Sequence, residues 1–340
     1  MSPLTQGLRY RAACDECEIN YSPKQHLPLG KKTGDPLSNL KLIFPEMFDG
    51  TVGLFDGEVD LKLSPEAKPV QLPPRAIAFS VLPKLKKKLD KMESEGIIRS
   101  CRETTDRVHN LVIVSEKNGD IRLCLDPKNL NKYLVRSVHY TASWEDVQHS
   151  FRHGQYFSTL DTKSGYWTKK LSADSQLLTA FNTLFKKYCF VRLPFGLSVS
   201  SEIFCVQMDR VLNDISSTFP HADDVTVQGS TEEKYDIHLL ETIDRARADG
   251  IKLNPDKCCV KKRKIEHFGR VISSNGVEPC QKKVNAILQL APPTNKQELQ
   301  SFFGTVNFMS TFIPNPSKKT HRMRGLLKKD VHFVWISDMQ

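Results

Sequence analysis

No stretch of the sequence approaches the roughly 20 consecutive apolar residues that span a bilayer. The first residues are polar and basic, without the apolar core of a secretory signal. Cysteine occurs nine times, an odd number scattered along the chain, so the even framework of a disulfide-stapled secreted domain is missing. Cys14 and Cys17 form a lone Cys-x-x-Cys with no second pair at a suitable spacing, whereas a structural zinc needs about four ligands. There is no internal repeat, and no heptad run long enough for a coiled coil. These absences argue against membrane, secreted, zinc-finger and fibrous classes. A soluble chain in a reducing, intracellular compartment is expected.

What is present is a chain of 340 residues, 39% of them hydrophobic, enough to bury a sizeable core. Such a length suits about two domains, or one domain with arms. Lys and Arg total 49 against 39 Asp and Glu, a formal charge of +10 with a pI near 9.1. The excess suits an anionic partner such as nucleic acid, although ordinary solubility charge has the same sign.

Residues 1–40 lack periodicity and have the composition of a linker, and 41–75 suggest short extended pieces interrupted by Pro69, Pro73 and Pro74. Leu85, Leu89 and Met92 recur at helical spacing between Pro83 and Gly96, with Lys84, Lys86, Lys87 and Lys88 on the other faces. A hairpin is expected from 111–114 and 121–125, joined across Asn118-Gly119. Helices are expected at 143–152, 198–217 and 233–249. Strands should end at Asp161 and begin after Asp224. From 277 onward the pattern becomes helical and basic, at 281–290, 295–312 and 317–329, punctuated by prolines.

Two acidic positions stand apart. Asp161 closes the hydrophobic run Phe157–Leu160, and Asp223-Asp224 precedes the run at Val225 and Val227. Neighbouring carboxylates at strand ends repel, and burying them unpaired is costly. Three of them can be reconciled by two divalent ions about 4 Å apart, the arrangement for in-line phosphoryl transfer. An Asp pair on its own is more often a turn.

The surrounding words shift that balance. GDIRLCLDPKNLN (119–131), FSTLDTKSGYW (157–167), LLTAFNTLFKKYCFVRLPFGLSVSSEIF (177–204), HADDVTVQGS (221–230), KLNPDKC (252–258), IEHFGRVISSNGV (265–277) and SFFGTVNFMSTFIP (301–314) follow one another in order. Together they resemble the reverse transcriptase of gypsy-type long-terminal-repeat retrotransposons and, more distantly, retroviral enzymes, from about residue 40 to the C-terminus. One such motif is weak; seven in order are highly specific.

The resemblance implies an α+β right-hand polymerase: an N-terminal extension at 1–75, fingers and palm at 76–276, and a helical thumb at 277–340. The fingers would be contributed by about 79–135 and 177–196. It implies Asp161, Asp223 and Asp224 as catalytic carboxylates holding two Mg²⁺, with Mn²⁺ as a substitute and the Thr162 carbonyl as a further ligand. Tyr166 matches the aromatic gate that leaves no room for a 2′-hydroxyl. Arg122 and Lys117 match the fingers cations over the triphosphate, Arg122 through a planar, multi-donor head. Phe195 and Gly196 match the segment against the nucleotide and template base. His221 and Ala222 match the primer and template support, and Phe268 with Gly269 the hairpin that grips the primer end. The implied partners are an RNA template, a DNA primer–template duplex and dNTPs, with no membrane. The implied location is a retroelement particle in the cytoplasm, extending to the nucleus.

Several positions depart from the family pattern. His221 stands where Tyr or Phe is usual, Pro220 where a strand residue is usual, Glu116 where a basic residue is usual, and Leu184 where a proline is common. DPKNLN replaces the commoner Asp-Tyr-Arg-x-Leu-Asn. No Asp-Ser/Thr-Gly protease motif is seen upstream, and HFVWISDMQ (332–340) falls where the connection and ribonuclease H would begin. Two other functions fit parts of the pattern. A decayed, nucleic-acid-binding remnant suits His221 and Pro220. A two-metal nuclease or phosphatase suits the carboxylates but not the gate and thumb motifs.

Overall fold

A computed structural model of the chain describes residues 34–116, 119–137, 139–140, 142, 144–336 and 339. Lys117 and the Cys14–Cys17 pair therefore lie outside the described residues. The chain divides into two compact units, Met1–Lys262 and Arg263–Gln340.

In the first unit the main helices are α1 (Pro36–Ile43), α2 (Leu82–Ser94), α3 (Ser200–Leu212) and α4 (Glu232–Ala248). Its main strands are β1 (Ile98–Ser100), β2 (Asn110–Ser115), β3 (Ile121–Asp126), β4 (Tyr156–Asp161), β5 (Phe181–Asn182), β6 (Lys187–Phe190), β7 (Thr218–His221), β8 (Asp224–Gly229) and β9 (Cys259–Lys262). Four of these strands make an antiparallel sheet in the order β7-β8-β4-β9. Leu160, Val225 and Val227 face a core shared with Phe204, Met208, Val211 and Leu212 of α3 and with Tyr235, Leu239 and Ile243 of α4. The helical period of those side chains and the two-residue period of the strands bring both sets to one interface.

The longest of these helices has identifiable ends. Thr231 caps α4, its hydroxyl accepting from the Lys234 N–H at 3.3 Å, with Glu232 and Glu233 in the first turn and Arg245 and Arg247 in the last. That charge order complements the helix dipole. Pro220 lies in β7, an edge strand, opposite Val225. A missing N–H on the outer side breaks no ladder there, so proline is tolerated.

The N-terminal stretch differs from its expected linker and extended character. Asp35 caps α1 by accepting from the Ser38 N–H at 3.2 Å, Pro36 takes the first turn, and a 3₁₀ turn follows at Pro45–Phe48. Leu40, Phe44, Met47 and Phe55 are buried in the same core as α3 and α4. A helix of eight residues leaves too short a periodic signature to be legible, and tertiary packing supplies its stability.

A second core joins Leu85, Leu89 and Met92 of α2 to Ile98, Leu123, Leu125, Phe181, Tyr188 and Phe190. Here β1-β6-β5 form one small sheet and β2-β3 a hairpin. The lysines of α2 are partly engaged: Lys84 Nζ donates to the Gly119 carbonyl at 3.0 Å, and Lys88 pairs with Asp120 at 3.4 Å. They brace the loop of the hairpin.

The second unit opens with β10 (Lys264–His267), β11 (Arg270–Ser273) and β12 (Gly276–Pro279), paired only with one another. They group with the C-terminal helices in the second unit, which begins at Arg263. The helices are α5 (Gln281–Leu288), α6 (Lys296–Phe308) and α7 (Pro316–Gly325). Leu299, Phe303, Leu326 and Met339 form its core. No helix among the described residues is long and apolar enough to cross a membrane.

Candidate active site

The ends of β4 and β8 carry the acidic residues. Asp161 and Asp224 are direct register partners across the antiparallel ladder, and His221 pairs with Asp224 at the end of the β7–β8 hairpin. Ala222 and Asp223 are then the two turn residues, with Ala222 at φ +49°. Positive φ at the first turn position, and not the second, is the hairpin pattern usually given to glycine. The turn is tied down from β4: the Thr162 N–H and hydroxyl both donate to the Asp223 carbonyl, at 2.8 and 3.0 Å. The Asp161 carbonyl accepts from the Asn254 N–H at 2.9 Å. Three carboxylates from three separate sequence positions thus converge on one edge of the sheet.

Electrostatics at this edge are unfavourable without a counter-ion. Burial pushes the Asp223 carboxyl above its ordinary range, and the charges of Asp161 and Asp224 add to the effect, opposed by Lys257 and Arg122. Asp224 is pushed up by burial and then by Asp161. Asp223 Oδ1 is buried without a hydrogen-bond donor. Lys257, from the loop before β9, places Nζ 3.0 Å from Asp161 Oδ2. Among the described residues no three His, Cys, Asp or Glu side chains are gathered tightly enough to hold a metal as they stand. Hard oxygen donors nonetheless suit Mg²⁺ or Mn²⁺ in kind, and the unpartnered Asp223 oxygen and the lysine on Asp161 mark where positive charge is wanted.

A group whose folded pKa is raised stabilises the fold fully below its unfolded value, about 3.9 for Asp, and that contribution is lost as pH rises through the folded value. Asp223→Asn should therefore raise the melting temperature of the metal-free protein at pH 7. The difference should shrink as pH falls toward 4, and calorimetry at the two pH values measures it.

Gly165 explains part of the spacing between Asp161 and Tyr166. A Cβ there would lie 2.6 Å from Asp223 Oδ1 and 2.7 Å from the Phe204 ring. Beyond it, Tyr166 touches both cores, its ring tilted against Phe195 at 4.8 Å and edge-on to Phe204 at 5.7 Å. The Arg122 guanidinium carbon is 5.9 Å from the Phe195 ring. Arg122, Phe195 and Tyr166 therefore lie in one row. Lys117 falls outside the described residues. Phe268 and Gly269 occupy the β10–β11 turn, both at positive φ (+51° and +66°), in the second unit. Beside them Lys283 Nζ sits 3.8 Å over the Phe308 ring. His221 is half-buried, and burial lowers its pKa, so its neutral form is favoured.

Two residues with no assigned role emerge from the structure. Lys257 is one, placed by the Asn254 turn; it lies within the KLNPDKC motif, which gave it no role. Asn131 is the other. Its Nδ2 donates to the Gly196 carbonyl at 2.9 Å and its Oδ1 accepts from the Ser198 N–H at 2.9 Å. One amide side chain thereby clamps the loop that presents Phe195. Its position at the end of DPKNLN, just past β3, was the available signal. Removing it leaves two backbone groups to find new partners, at a cost of about 1–3 kcal/mol. Asn131→Ala should therefore lower the melting temperature by roughly 3–10 °C, measured by calorimetry.

A four-stranded antiparallel sheet with carboxylates at the ends of its two central strands, backed by two helices, has the architecture of a right-hand polymerase palm. Residues 114–272 match the family described as reverse transcriptase (RNA-dependent DNA polymerase). The Tf2-7 and Tf2-3 transposon polyproteins of Schizosaccharomyces pombe are 27% identical over 242 residues, covering 71% of this chain. The aligned part spans only 18% of the length of those polyproteins. The fold is shared with the foamy viral protease–reverse transcriptase solved with double-stranded DNA, at TM-score 0.82 and 19% identity, over 94% of this chain and 60% of that one. The same viral enzyme solved with an RNA/DNA hybrid gives TM-score 0.76 and 20% identity, over 89% of this chain and 41% of that one.

Proposed function

We propose that the chain is an RNA- and DNA-templated DNA polymerase that adds a dNTP to a primer 3′-hydroxyl. The observation that carries this is the register pairing of Asp161 with Asp224, with the Asp223 carboxylate buried on the adjoining turn. Asp161, Asp223 and Asp224, with the Thr162 carbonyl, would hold two Mg²⁺ or Mn²⁺ ions. Bound there, divalent ions favour the ionised primer hydroxyl and offset charge on the departing pyrophosphate.

The other groups bind and exclude. Arg122 takes the triphosphate, and Lys117 approaches its γ-phosphate. Phe195 and Gly196 pack against the base pair being formed, and Tyr166 fills the space a 2′-hydroxyl would need. His221 and Ala222 support the primer and template, and Phe268 with Gly269 the primer end. Basic residues of α5–α7 follow duplex phosphates, so binding should weaken steeply with salt and depend little on sequence.

The foamy viral neighbours were solved with double-stranded DNA and with an RNA/DNA hybrid, which supports nucleic-acid partners for this chain. The test is dTTP incorporation on poly(rA)/oligo(dT) with Mg²⁺, repeated on a DNA template. Incorporation on both supports the proposal. Salt-sensitive duplex binding with no incorporation supports a second reading, a nucleic-acid-binding remnant, which His221 and the Lys257–Asp161 pair favour.

A further inference from the structure

The loop between β2 and β3 puts an acidic side chain on the residue that would receive the triphosphate. Val114 pairs with Arg122 across the hairpin, so Glu116, two residues on, lies diagonally across from Arg122 on the same face. The Glu116 N–H donates to the Asp120 carbonyl at 2.8 Å, and its own carbonyl accepts from the Gly119 N–H at 3.0 Å, which fixes the start of the loop. Glu116 Oε1 accepts from both Arg122 Nε, at 2.9 Å, and Arg122 Nη2, at 2.8 Å. Arg122 remains 54% exposed, with its guanidinium over the Phe195 ring. The charge of Arg122 reaches as far as the Asp223 carboxyl, whose upward shift it opposes.

Two consequences follow for an arriving polyanion. Part of the guanidinium's donor set is already committed to a carboxylate. That carboxylate also holds a negative charge within a few ångströms of the approach, well inside the Debye length of about 8 Å at physiological salt. A basic residue at this position would add attraction; a carboxylate subtracts it.

We propose that Glu116 attenuates triphosphate capture by Arg122, holding dNTP affinity below what the guanidinium alone would give. The proposal rests on Arg122 being the triphosphate contact. Glu116→Gln keeps the size and a hydrogen-bond acceptor for Arg122 and removes only the charge. The pair lies at the surface, so the variant should fold with an unchanged melting temperature.

The experiment is equilibrium displacement of a fluorescent dTTP analogue by inorganic tripolyphosphate, on the full chain bound to primer–template. Wild type, Glu116→Gln, Arg122→Gln and the double variant are compared at about 0.05 and 0.5 M salt. Glu116→Gln should bind tripolyphosphate about three- to tenfold more tightly than wild type at low salt, with the gain shrinking at high salt. In the Arg122→Gln background the same change should gain clearly less, since only the direct repulsion of the anion is then relieved and no guanidinium donors are released. Equal or weaker binding by Glu116→Gln overturns the proposal, as does an equal gain with and without Arg122. If Arg122→Gln binds tripolyphosphate as tightly as wild type, the assignment of Arg122 itself fails, which is a separate outcome from either.

Discussion

Asp223→Asn should lower dTTP incorporation on poly(rA)/oligo(dT) by about 10³-fold or more while leaving duplex binding intact. Removing a single group that stabilises developing charge in a water-poor site typically costs about 10²–10³ in kcat. A carboxylate that also holds the ions should lie at or beyond the upper end of that range. Asp223 is buried, repelled by Asp161 and Asp224, and has an oxygen without a donor. It is therefore placed at the expense of stability, as groups committed to chemistry often are. The expected rise in metal-free melting temperature for the same substitution separates lost chemistry from lost folding. An Asp223→Asn protein that incorporates within about tenfold of wild type would contradict the assigned role.

Gly196→Ala should be the most destabilising single-methyl change in the first unit. Gly196 has φ +110°, and an added Cβ would lie 2.0 Å from the Leu125 carbonyl oxygen. Backbone strain at such a φ costs about 1–3 kcal/mol, and overpacking against fixed backbone about 1–3 kcal/mol more. The sum, about 3 kcal/mol or somewhat above, corresponds to a fall of roughly 6–12 °C in melting temperature for a unit of this size. Gly119 is the control, because its φ is +81° but nothing lies within 4 Å of its Cβ position. Gly119→Ala should cost about 1 kcal/mol, the conformational part alone. Equal shifts for the two variants would show that the contact with Leu125 is not what makes Gly196 necessary.

The palm was largely legible because its elements announce themselves locally. The alternation in Phe157–Asp161, the helical stripe Phe204–Met208–Val211–Leu212 and the capped α4 all fall where period and capping place them, within a few residues. Asp161 and Asp224 were recognisable through the motifs around them, whereas their register as direct partners is a property of the sheet. What stayed hidden depends on tertiary contact. The α1 segment takes its helicity from packing Leu40 onto the palm core. Lys257 reaches Asp161 from 96 residues away, and Asn131 reaches Gly196 across 65. No local pattern encodes distances of that kind. Glu116 was visible as a departure from the family, but its grip on Arg122 required the hairpin register.

The most direct measurement is anomalous scattering from Mn²⁺ in crystals of the chain with a primer–template ended in a dideoxynucleotide and a matched dNTP. Mn²⁺ peaks beside the Asp161, Asp223 and Asp224 carboxylates, with Lys257 Nζ withdrawn from Asp161, are the predicted result. An ordered primer end and nucleotide with no Mn²⁺ peak, and Lys257 still on Asp161, would contradict the assignment of this edge as the polymerase centre.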